Sequence, residues 1–355
     1  MIKREYTKVI NVGNVKIGGG NPIAIQSMTT TDTRDVASTV NQIKDLEKAG
    51  CDIVRVAVPD MESAEALKDI KKNISIPLVA DIHFDYRLAL KSIECGISKL
   101  RINPGNIGDE KRVREVVRSA KENGVPIRIG VNAGSVGKEL LKKYDGKISG
   151  EVLVESAVNH IRILEDMDFT DIVVSIKASD VLMSVKAYEL FAKKYDYPLH
   201  IGITESGTPF RGTIKSSVGL GIILNMGIGD TMRVSLTGDP VEEIKVSREI
   251  LKSLGLFRKP DIEFISCPTC ARCKIDLIRY ASEIEKAAAG IEKKIKVAIM
   301  GCAVNGPGEA RDADIGIAGG DKRAILFKKG EIIRTIDEND IVSELIREIK
   351  EFKVI

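Results

Sequence analysis

The chain has 355 residues, of which 43% are hydrophobic and 30% are charged, so it has the composition of a folded protein and not of a disordered one. Its 54 basic residues nearly balance its 51 acidic residues, and the formal net charge is only +3. This balance excludes the broad cationic field that non-specific binding to nucleic acid or to a membrane surface requires. Any binding site for an anion must therefore be local.

The N-terminal sequence MIKREYTKVI lacks the apolar core of a signal peptide, and the weakly polar run 216–229 is too short to span a bilayer. We therefore expect a cytoplasmic protein with no membrane partner. Because cytosolic thiols are kept reduced, the six cysteines are not expected to form disulfides. Cys51 and Cys95 stand alone in apolar surroundings and are predicted to be small buried hydrophobic residues.

From about residue 23 to residue 254, short apolar runs alternate with longer segments of helical periodicity, such as Val36–Ala49 and 111–123. Eight such βα units favour a (β/α)8 TIM barrel over an open doubly wound sheet. The predicted strands are 22–28, 52–58, 77–82, 98–103, 126–132, 171–177, 199–204 and 231–236. Ahead of them, the glycines at 18–20 lack the strand and helix of a phosphate-binding loop and predict a hairpin turn.

The βα pattern ends near residues 255–260, which predicts a barrel domain at 1–258 and a small α/β domain at 259–355. In the second domain we predict a helix at 276–289 and strands at 296–301 and 314–319. A hairpin at 325–336 and a charged terminal helix follow.

The remaining four cysteines all follow residue 266. Cys267 and Cys270 form a C-x2-C pair, and Cys302 lies farther along the chain, which is a spacing typical of metal ligands. No histidine follows His200, so the spacing favours an iron-sulfur site over a structural zinc site. Because Cys273 can supply a fourth thiolate, the spacing leaves zinc open.

The residues around these cysteines, SCPTC at 266–270 and CAVNGPGEA at 302–310, resemble the 4-hydroxy-3-methylbut-2-enyl diphosphate synthase family of isoprenoid biosynthesis. The resemblance extends through the barrel, in QSMTTTDTRDV, VRVAVPD, ADIHFDY, LRINPGNIG, IRIGVNAGS, VSIKASD, GITESG and RVSLTGDPVEE. It implies an oxidoreductase that opens the ring of 2-C-methyl-D-erythritol 2,4-cyclodiphosphate. This reaction gives 4-hydroxy-3-methylbut-2-enyl diphosphate, consumes two electrons and releases water.

The resemblance also implies a [4Fe-4S] cluster with ferredoxin or flavodoxin as its electron donor. Its ligands would be Cys267, Cys270, Cys302 and, at the fourth position, Glu309. A carboxylate is a harder ligand than a thiolate, and substrate oxygen could displace it. Cys273 matches no ligand of the family and is predicted to begin the helix that follows.

Polar residues recur at the carboxyl ends of the predicted barrel strands, where the active sites of such barrels lie. Buried cations on apolar strands require anions, and arginine forks suit phosphate oxygens. We therefore expect a diphosphate to bind there. The predicted substrate-binding residues are Arg55, Arg101, Asn103, Arg128, Asn132, Lys177 and Ser235. Glu205 is the predicted proton donor, with His83 and Asp81 behind it.

Two other classes of protein fit parts of the pattern. A phosphate- or pterin-binding TIM barrel with a structural zinc domain would use the same cations. A non-enzymatic electron carrier would leave those cations unexplained. The short segment 255–260 reaches only about 20 Å when extended, too little to bring the second domain over the far rim of its own barrel. We therefore expect a head-to-tail homodimer whose active sites are shared between subunits.

Overall fold

The computed structural model describes residues 2–103, 107–303 and 310–353. The chain divides into two compact units, Met1–Phe257 and Arg258–Ile355. Within the described ranges, no helix combines the length and the apolar character needed to cross a membrane.

The first unit is a parallel eight-stranded barrel preceded by a hairpin of β1 (Ile10–Val12) and β2 (Val15–Ile17). The sheet order is β8-β7-β6-β5-β4-β3-β10-β9, and a bridge between Val174 and Leu199 joins its two ends. This confirms the predicted barrel. The barrel strands are β3 (Ala24–Met28), β4 (Ile53–Val58), β5 (Leu78–Ile82), β6 (Lys99–Ile102), β7 (Ile127–Asn132), β8 (Ile172–Lys177), β9 (His200–Ile201) and β10 (Thr231–Met232).

Nine helices of the described chain belong to the barrel unit. Several begin at an aspartate whose carboxylate accepts a backbone N–H of the first turn, as Asp35 accepts from Ser38 and Asp60 from Ser63. The helices are α1 (Val36–Ala49), α2 (Met61–Lys72), α3 (Tyr86–Glu94), α4 (Glu110–Glu122), α5 (Lys138–Lys143), α6 (Gly150–Glu165), α7 (Val181–Ala192), α8 (Pro209–Asn225) and α9 (Pro240–Ser253).

The last two barrel strands are shorter than predicted. Regular pairing stops at Ile201 and Met232, and only single hydrogen bonds continue beyond it, such as Arg233 N to Ile201 O at 3.0 Å. The predicted turn was also misplaced. Because Val12 pairs with Val15, the hairpin turns at Gly13, whose φ is +58°, and not at residues 18–20.

An apolar floor closes the N-terminal end of the barrel. Residues at the beginnings of four strands pack there against the side chains of the β1–β2 hairpin. The cluster comprises Ile10, Val12, Ile17, Ala24, Ile53, Val79 and Val173. The floor leaves the carboxyl ends of the strands as the place where polar side chains can enter the interior.

The second unit is a five-stranded sheet of order β11-β12-β13-β14-β15. Its strands are β11 (Ile262–Ser266), β12 (Ile295–Met300), β13 (Ile315–Gly319), β14 (Arg323–Lys328) and β15 (Glu331–Asp337). The first three are parallel and the last two form an antiparallel hairpin. Helices α10 (Leu277–Ala287) and α11 (Ile341–Glu351) bury Ile284 and Leu345 in its core. All the predicted elements are present, and β11 is an additional strand.

Candidate active site and cysteine motif

Cationic side chains converge inside the barrel because neighbouring strands place them in register. Arg101 on β6 pairs with Asp81 on β5 and with Arg128 on β7, while Lys177 on β8 pairs with Asn132 on β7. Partners in register point to the same face of a sheet, so these side chains share the barrel interior. Arg101, Arg128 and Lys177 are all buried.

Asp81 is the carboxylate that organises two of the arginines. Its Oδ1 lies 3.0 Å from Nη1 of Arg101, and its Oδ2 lies 3.6 Å from Nε of Arg55. Burial raises the pKa of Asp81, but Arg55, the hydrogen bond with His83, Arg101 and Arg128 together hold this pKa well below its usual range. Asp81 is therefore ionised at neutral pH and anchors the two arginines. Because an ionised carboxylate has no proton to give, this argues against its predicted role as a proton donor.

His83 belongs to the same cluster. Its Nε2 lies 2.7 Å from Nη1 of Arg101 and 3.5 Å from Oδ1 of Asp81. Its side chain is 48% exposed, in contrast to those of Arg101 and Asp81 at 8%. His83 thus joins the buried ion pair to the solvent-facing end of the barrel.

Arg128 and Lys177 lack carboxylate partners in the described part of the chain. Neither Nε nor Nη1 of Arg128 has a hydrogen-bond partner there, although both atoms are buried. Burial, and then Arg55 and Arg101, lower the pKa of Arg128 well below its usual value. Burial and the neighbouring arginines, Arg128 first, do the same to Lys177. Positive charges left without counter-ions in a buried site indicate a place for an anionic ligand.

Two glycines make room for these cations. A Cβ on Gly130 would lie 2.8 Å from Nε of Arg101, and a Cβ on Gly202 would lie 2.6 Å from Nζ of Lys177. Real Cβ atoms do not approach other heavy atoms so closely. Both positions therefore need glycine for the cations to occupy their present places.

Sequence reasoning missed several charged residues of the interior. Arg233, just beyond β10, forms two hydrogen bonds of 3.1 Å with the buried carboxylate of Glu243. Lys99 and His200 are fully buried. Lys99 stands two residues before Arg101, a spacing that points both side chains to one face of a strand. This two-residue spacing along the strand could have identified Lys99 as an interior residue.

The other predicted substrate residues lie at the same end of the strands. Asn103 is buried directly after β6. Asn132 ends β7 half-buried, and its N–H donates to Oγ of Ser135 at 3.0 Å. Ser235 is half-buried beyond β10.

Glu205 stands apart from the cationic cluster. It follows β9 with a positive φ of +52° and is exposed. Its carbonyl accepts a hydrogen bond from Lys215, and its carboxylate has no ion pair within the described ranges. The structure thus places Glu205 on the loop after β9 without bringing its carboxylate to Asp81 or His83.

Two of the predicted cluster ligands follow the carboxyl ends of neighbouring strands in the second sheet. Cys267 directly follows β11, and Cys302 lies two residues beyond β12. These strands are parallel neighbours, and the N–H of Gly301 donates to Sγ of Cys267 at 3.2 Å. Cys267 and Cys302 are partly exposed residues and Cys270 is exposed.

Cys273 is engaged differently. Its Sγ donates to the carbonyl of Ile275 at 3.2 Å, and the side chain packs against the core of the second unit. A Cβ on Gly301 would lie 2.6 Å from this sulfur. The prediction that Cys273 begins the following helix is wrong, because this helix starts at Leu277; Cys273 precedes it in a loop.

The chemistry of the cysteine motif fits an iron-sulfur cluster. Cys267 and Cys302 follow neighbouring parallel strands, and the N–H of Gly301 already donates to the sulfur of Cys267. Among the residues that the structure describes, no three His, Cys, Asp or Glu side chains converge as a metal site. The predicted fourth ligand, Glu309, lies outside the described residues. Of the isolated cysteines, Cys51 is buried as predicted, whereas Cys95 is only partly buried.

A TIM barrel with a buried polycationic site, followed in the chain by an α/β unit with a C-x2-C motif, defines a class of enzymes that act on anionic substrates. Comparison with known families narrows this class. Residues 7–248 match the GcpE TIM-barrel domain, and residues 263–351 match the GcpE protein C-terminal domain. The chain belongs to the GcpE family.

Curated relatives support the same assignment. "4-hydroxy-3-methylbut-2-en-1-yl diphosphate synthase (flavodoxin)" of Caldanaerobacter subterraneus subsp. tengcongensis is 60% identical over 351 residues, covering 99% of this chain and 98% of that protein. The protein of the same name from Clostridium acetobutylicum is 60% identical over 348 residues, covering 98% and 99%. These relatives confirm the resemblance seen in the sequence.

A solved structure supports the fold alone. The dihydropteroate synthase of Yersinia pestis matches with a TM-score of 0.50 at 10% identity, covering 70% of this chain and 98% of that one.

Proposed function

We propose that this protein catalyses the reductive ring opening of 2-C-methyl-D-erythritol 2,4-cyclodiphosphate to 4-hydroxy-3-methylbut-2-enyl diphosphate, with loss of water. The observation that carries the proposal is the buried guanidinium of Arg128, whose Nε and Nη1 have no partner within the described residues. It lies among other cations that a diphosphate would neutralise. Relatives about 60% identical over nearly the whole chain carry the name of this synthase.

The substrate would bind through its diphosphate. Arg101 and Arg55 are already oriented by Asp81, so their remaining N–H groups can bind phosphate oxygens without further ordering. Lys177 would act as a point charge opposite them. Asn103, Asn132 and Ser235 would donate hydrogen bonds at the rim, which fixes the orientation of the ring.

A proton must reach the oxygen that leaves as water. We assign this step to Glu205, because the loop after β9 places it at the carboxyl end of the barrel. His83, which is half-exposed, would be the second candidate and would pass a proton from solvent directly to the substrate. Asp81 would hold His83 and Arg101 in place.

The residues of the second unit that would hold a [4Fe-4S] cluster are Cys267, Cys270, Cys302 and Glu309. Such a cluster would pass the two electrons that the ring opening consumes from the external donor to the substrate, one at a time. The N–H of Gly301, 3.2 Å from Sγ of Cys267, would stabilise negative charge on that sulfur. Membership of the GcpE family argues against the alternative of a structural zinc domain.

Flavodoxin is the proposed electron donor, because the relatives' names specify it; ferredoxin would be the substitute. We further propose a cytoplasmic homodimer in which each cluster unit serves the partner's barrel, since few residues separate α9 from β11. Mixing an inactive Cys267→Ser variant with an inactive Lys177→Ala variant should then restore activity. No recovery after proven subunit exchange would exclude the shared site.

The proposal is tested by measuring the affinity of the purified protein for the cyclic diphosphate. Lys177→Ala and Arg101→Ala should each weaken binding by at least tenfold, because a charged contact to phosphate contributes about 1.5 to 3 kcal/mol. Lys44→Ala removes an exposed lysine of α1 and should bind like the wild type. Unchanged binding by both barrel variants would refute the site.

A further inference from the structure

Lys99 and Gln26 form a polar layer of the barrel interior close to the residues assigned to the substrate, since Lys99 and Arg55 both pair in register with Val79. Val79 is a residue of the apolar floor. Two strands separate β6 from β3, yet Nζ of Lys99 lies 3.5 Å from Oε1 of Gln26 on β3. The lysine side chain therefore crosses the barrel interior. Both residues are fully buried.

This layer contains hydrogen-bond donors in excess of acceptors. Nε2 of Gln26 and both Nε and Nη1 of Arg128 are buried without a partner in the described part of the chain. The amide oxygen of Gln26 is the acceptor that Lys99 reaches, and only at the long distance of 3.5 Å. Unsatisfied buried polar groups are costly, and native proteins normally pair them.

The charges in this layer are also uncompensated. Burial, followed by Arg128 and Arg55, lowers the pKa of Lys99 well below its ordinary value, so a bound anion would favour the charged form of this lysine. The nearby carboxylate of Asp81 is already paired with Arg55 and Arg101. Water could accept some of the free N–H groups, but it carries no charge to balance two cations. An anion would satisfy both requirements.

We propose that Lys99 and Gln26 extend the site of the substrate-binding cation Arg128 and form, together with it, an anion-binding subsite in the barrel interior. Its ligand is an oxyanion of phosphate type. This oxyanion is either one phosphate group of the bound substrate or a free inorganic anion. The first case rests on the proposed function, and the second does not. In both cases Lys99 binds the ligand directly.

The presence of the subsite is tested by thermal unfolding of the full-length protein with and without inorganic phosphate, at constant ionic strength. The wild type and Lys44→Met should gain several degrees in Tm with phosphate. Lys99→Met removes the cation at similar side-chain length and should lose most of this gain. Gln26→Glu supplies a carboxylate within the layer, so it should raise Tm without phosphate and abolish the response.

Equal phosphate responses in all four proteins would overturn the subsite. A Gln26→Glu variant that is less stable than the wild type and still responds fully would overturn it as well. If Lys99→Met does not fold, Gln26→Glu decides alone, because it adds a charged acceptor where hydrogen-bond donors outnumber acceptors.

The source of the anion is distinguished by steady-state kinetics with the cyclic diphosphate. If a substrate phosphate occupies the subsite, inorganic phosphate should raise KM competitively, and Lys99→Met should raise KM at least tenfold without phosphate. If a free anion occupies it, phosphate should leave KM unchanged while still raising Tm. An absence of turnover would count against the proposed function, but it would leave the thermal test of the subsite intact.

Discussion

Nε2 of His200 lies 3.4 Å from Nζ of Lys177, and Nδ1 of the same ring lies 2.6 Å from Oγ1 of Thr231. Burial, followed by Arg128 and Lys177, lowers the pKa of His200 well below its ordinary value, so the ring is neutral. A neutral ring whose Nδ1–H donates to Thr231 can accept a hydrogen bond from the ammonium of Lys177 at Nε2. His200 thus positions Lys177.

Replacing His200 with phenylalanine should lower kcat/KM about tenfold, or by about 1.4 kcal/mol, mainly through KM. Loss of the acceptor destabilises the charged form of Lys177. The alkaline limb of the pH profile should therefore move to lower pH. Thr231→Ser keeps the hydroxyl and should behave like the wild type, whereas Thr231→Val should resemble His200→Phe. An unmoved pH profile in His200→Phe would contradict the positioning role.

Gly130→Ala should displace the side chain of Arg101 and so impair substrate binding, although Arg101 itself is unchanged. The new Cβ would lie 2.8 Å from Nε of Arg101, and the flexible guanidinium would have to move away from Asp81. We expect KM for the cyclic diphosphate to rise at least tenfold while the protein remains folded. Gly221→Ala on α8 meets nothing within 4 Å and should leave kinetics unchanged. Normal kinetics in Gly130→Ala would show that Arg101 does not need its present position.

Asp81→Asn should destabilise the protein by about 3 kcal/mol at neutral pH, because it leaves buried arginines without their carboxylate. The pKa of Asp81 is lowered in the folded state. Its stabilising contribution is therefore complete above the unfolded-state pKa of about 3.9, and it is lost as the pH falls through the lower folded value.

The difference in unfolding free energy between wild type and Asp81→Asn should thus be constant above about pH 5 and shrink in stronger acid. Denaturant unfolding across this range measures it. Asp45→Asn, at an exposed pair with Lys48, provides the control and should change stability little. A difference that grows toward acid would reverse the assigned direction of the Asp81 shift.

The sequence predicted most of the barrel because short apolar runs alternate with segments of helical periodicity; within two of these runs, residues of two kinds also alternate. In 98–103 and 126–132, Arg101 and Arg128 occupy interior positions between apolar residues that face the helices. The same alternation did not reveal which cations would lack partners, because pairing depends on distant strands. The contact between Lys99 and Gln26 joins residues 73 positions apart. The role of Glu243 likewise follows only from its contacts with Arg233 and Ser27.

The cysteine motif was predictable by resemblance, but the separate character of Cys273 follows from its contacts. Cys273→Ser should keep the bound iron and the turnover near those of the wild type. In the wild type the Cys273 thiol donates a hydrogen bond to the carbonyl of Ile275, and a serine hydroxyl can do the same. Cys302→Ser should lose most of its iron. Glu309→Ala should retain part of the iron and lose turnover, because the proposed carboxylate ligand is removed while three thiolates remain. Iron analysis and Mössbauer spectra check these outcomes. Loss of the oxygen-ligated iron in Cys273→Ser instead would contradict the ligand set.

The central claim is that this chain uses a thiolate-bound iron-sulfur cluster to reduce a cyclic diphosphate. It is tested most directly by purifying the protein anaerobically, measuring iron, sulfide and zinc, and assaying the same sample with reduced flavodoxin and 2-C-methyl-D-erythritol 2,4-cyclodiphosphate. We expect about four iron and four sulfide per chain and formation of 4-hydroxy-3-methylbut-2-enyl diphosphate. Bound zinc without iron, or a full cluster that yields no product from this substrate, would contradict it.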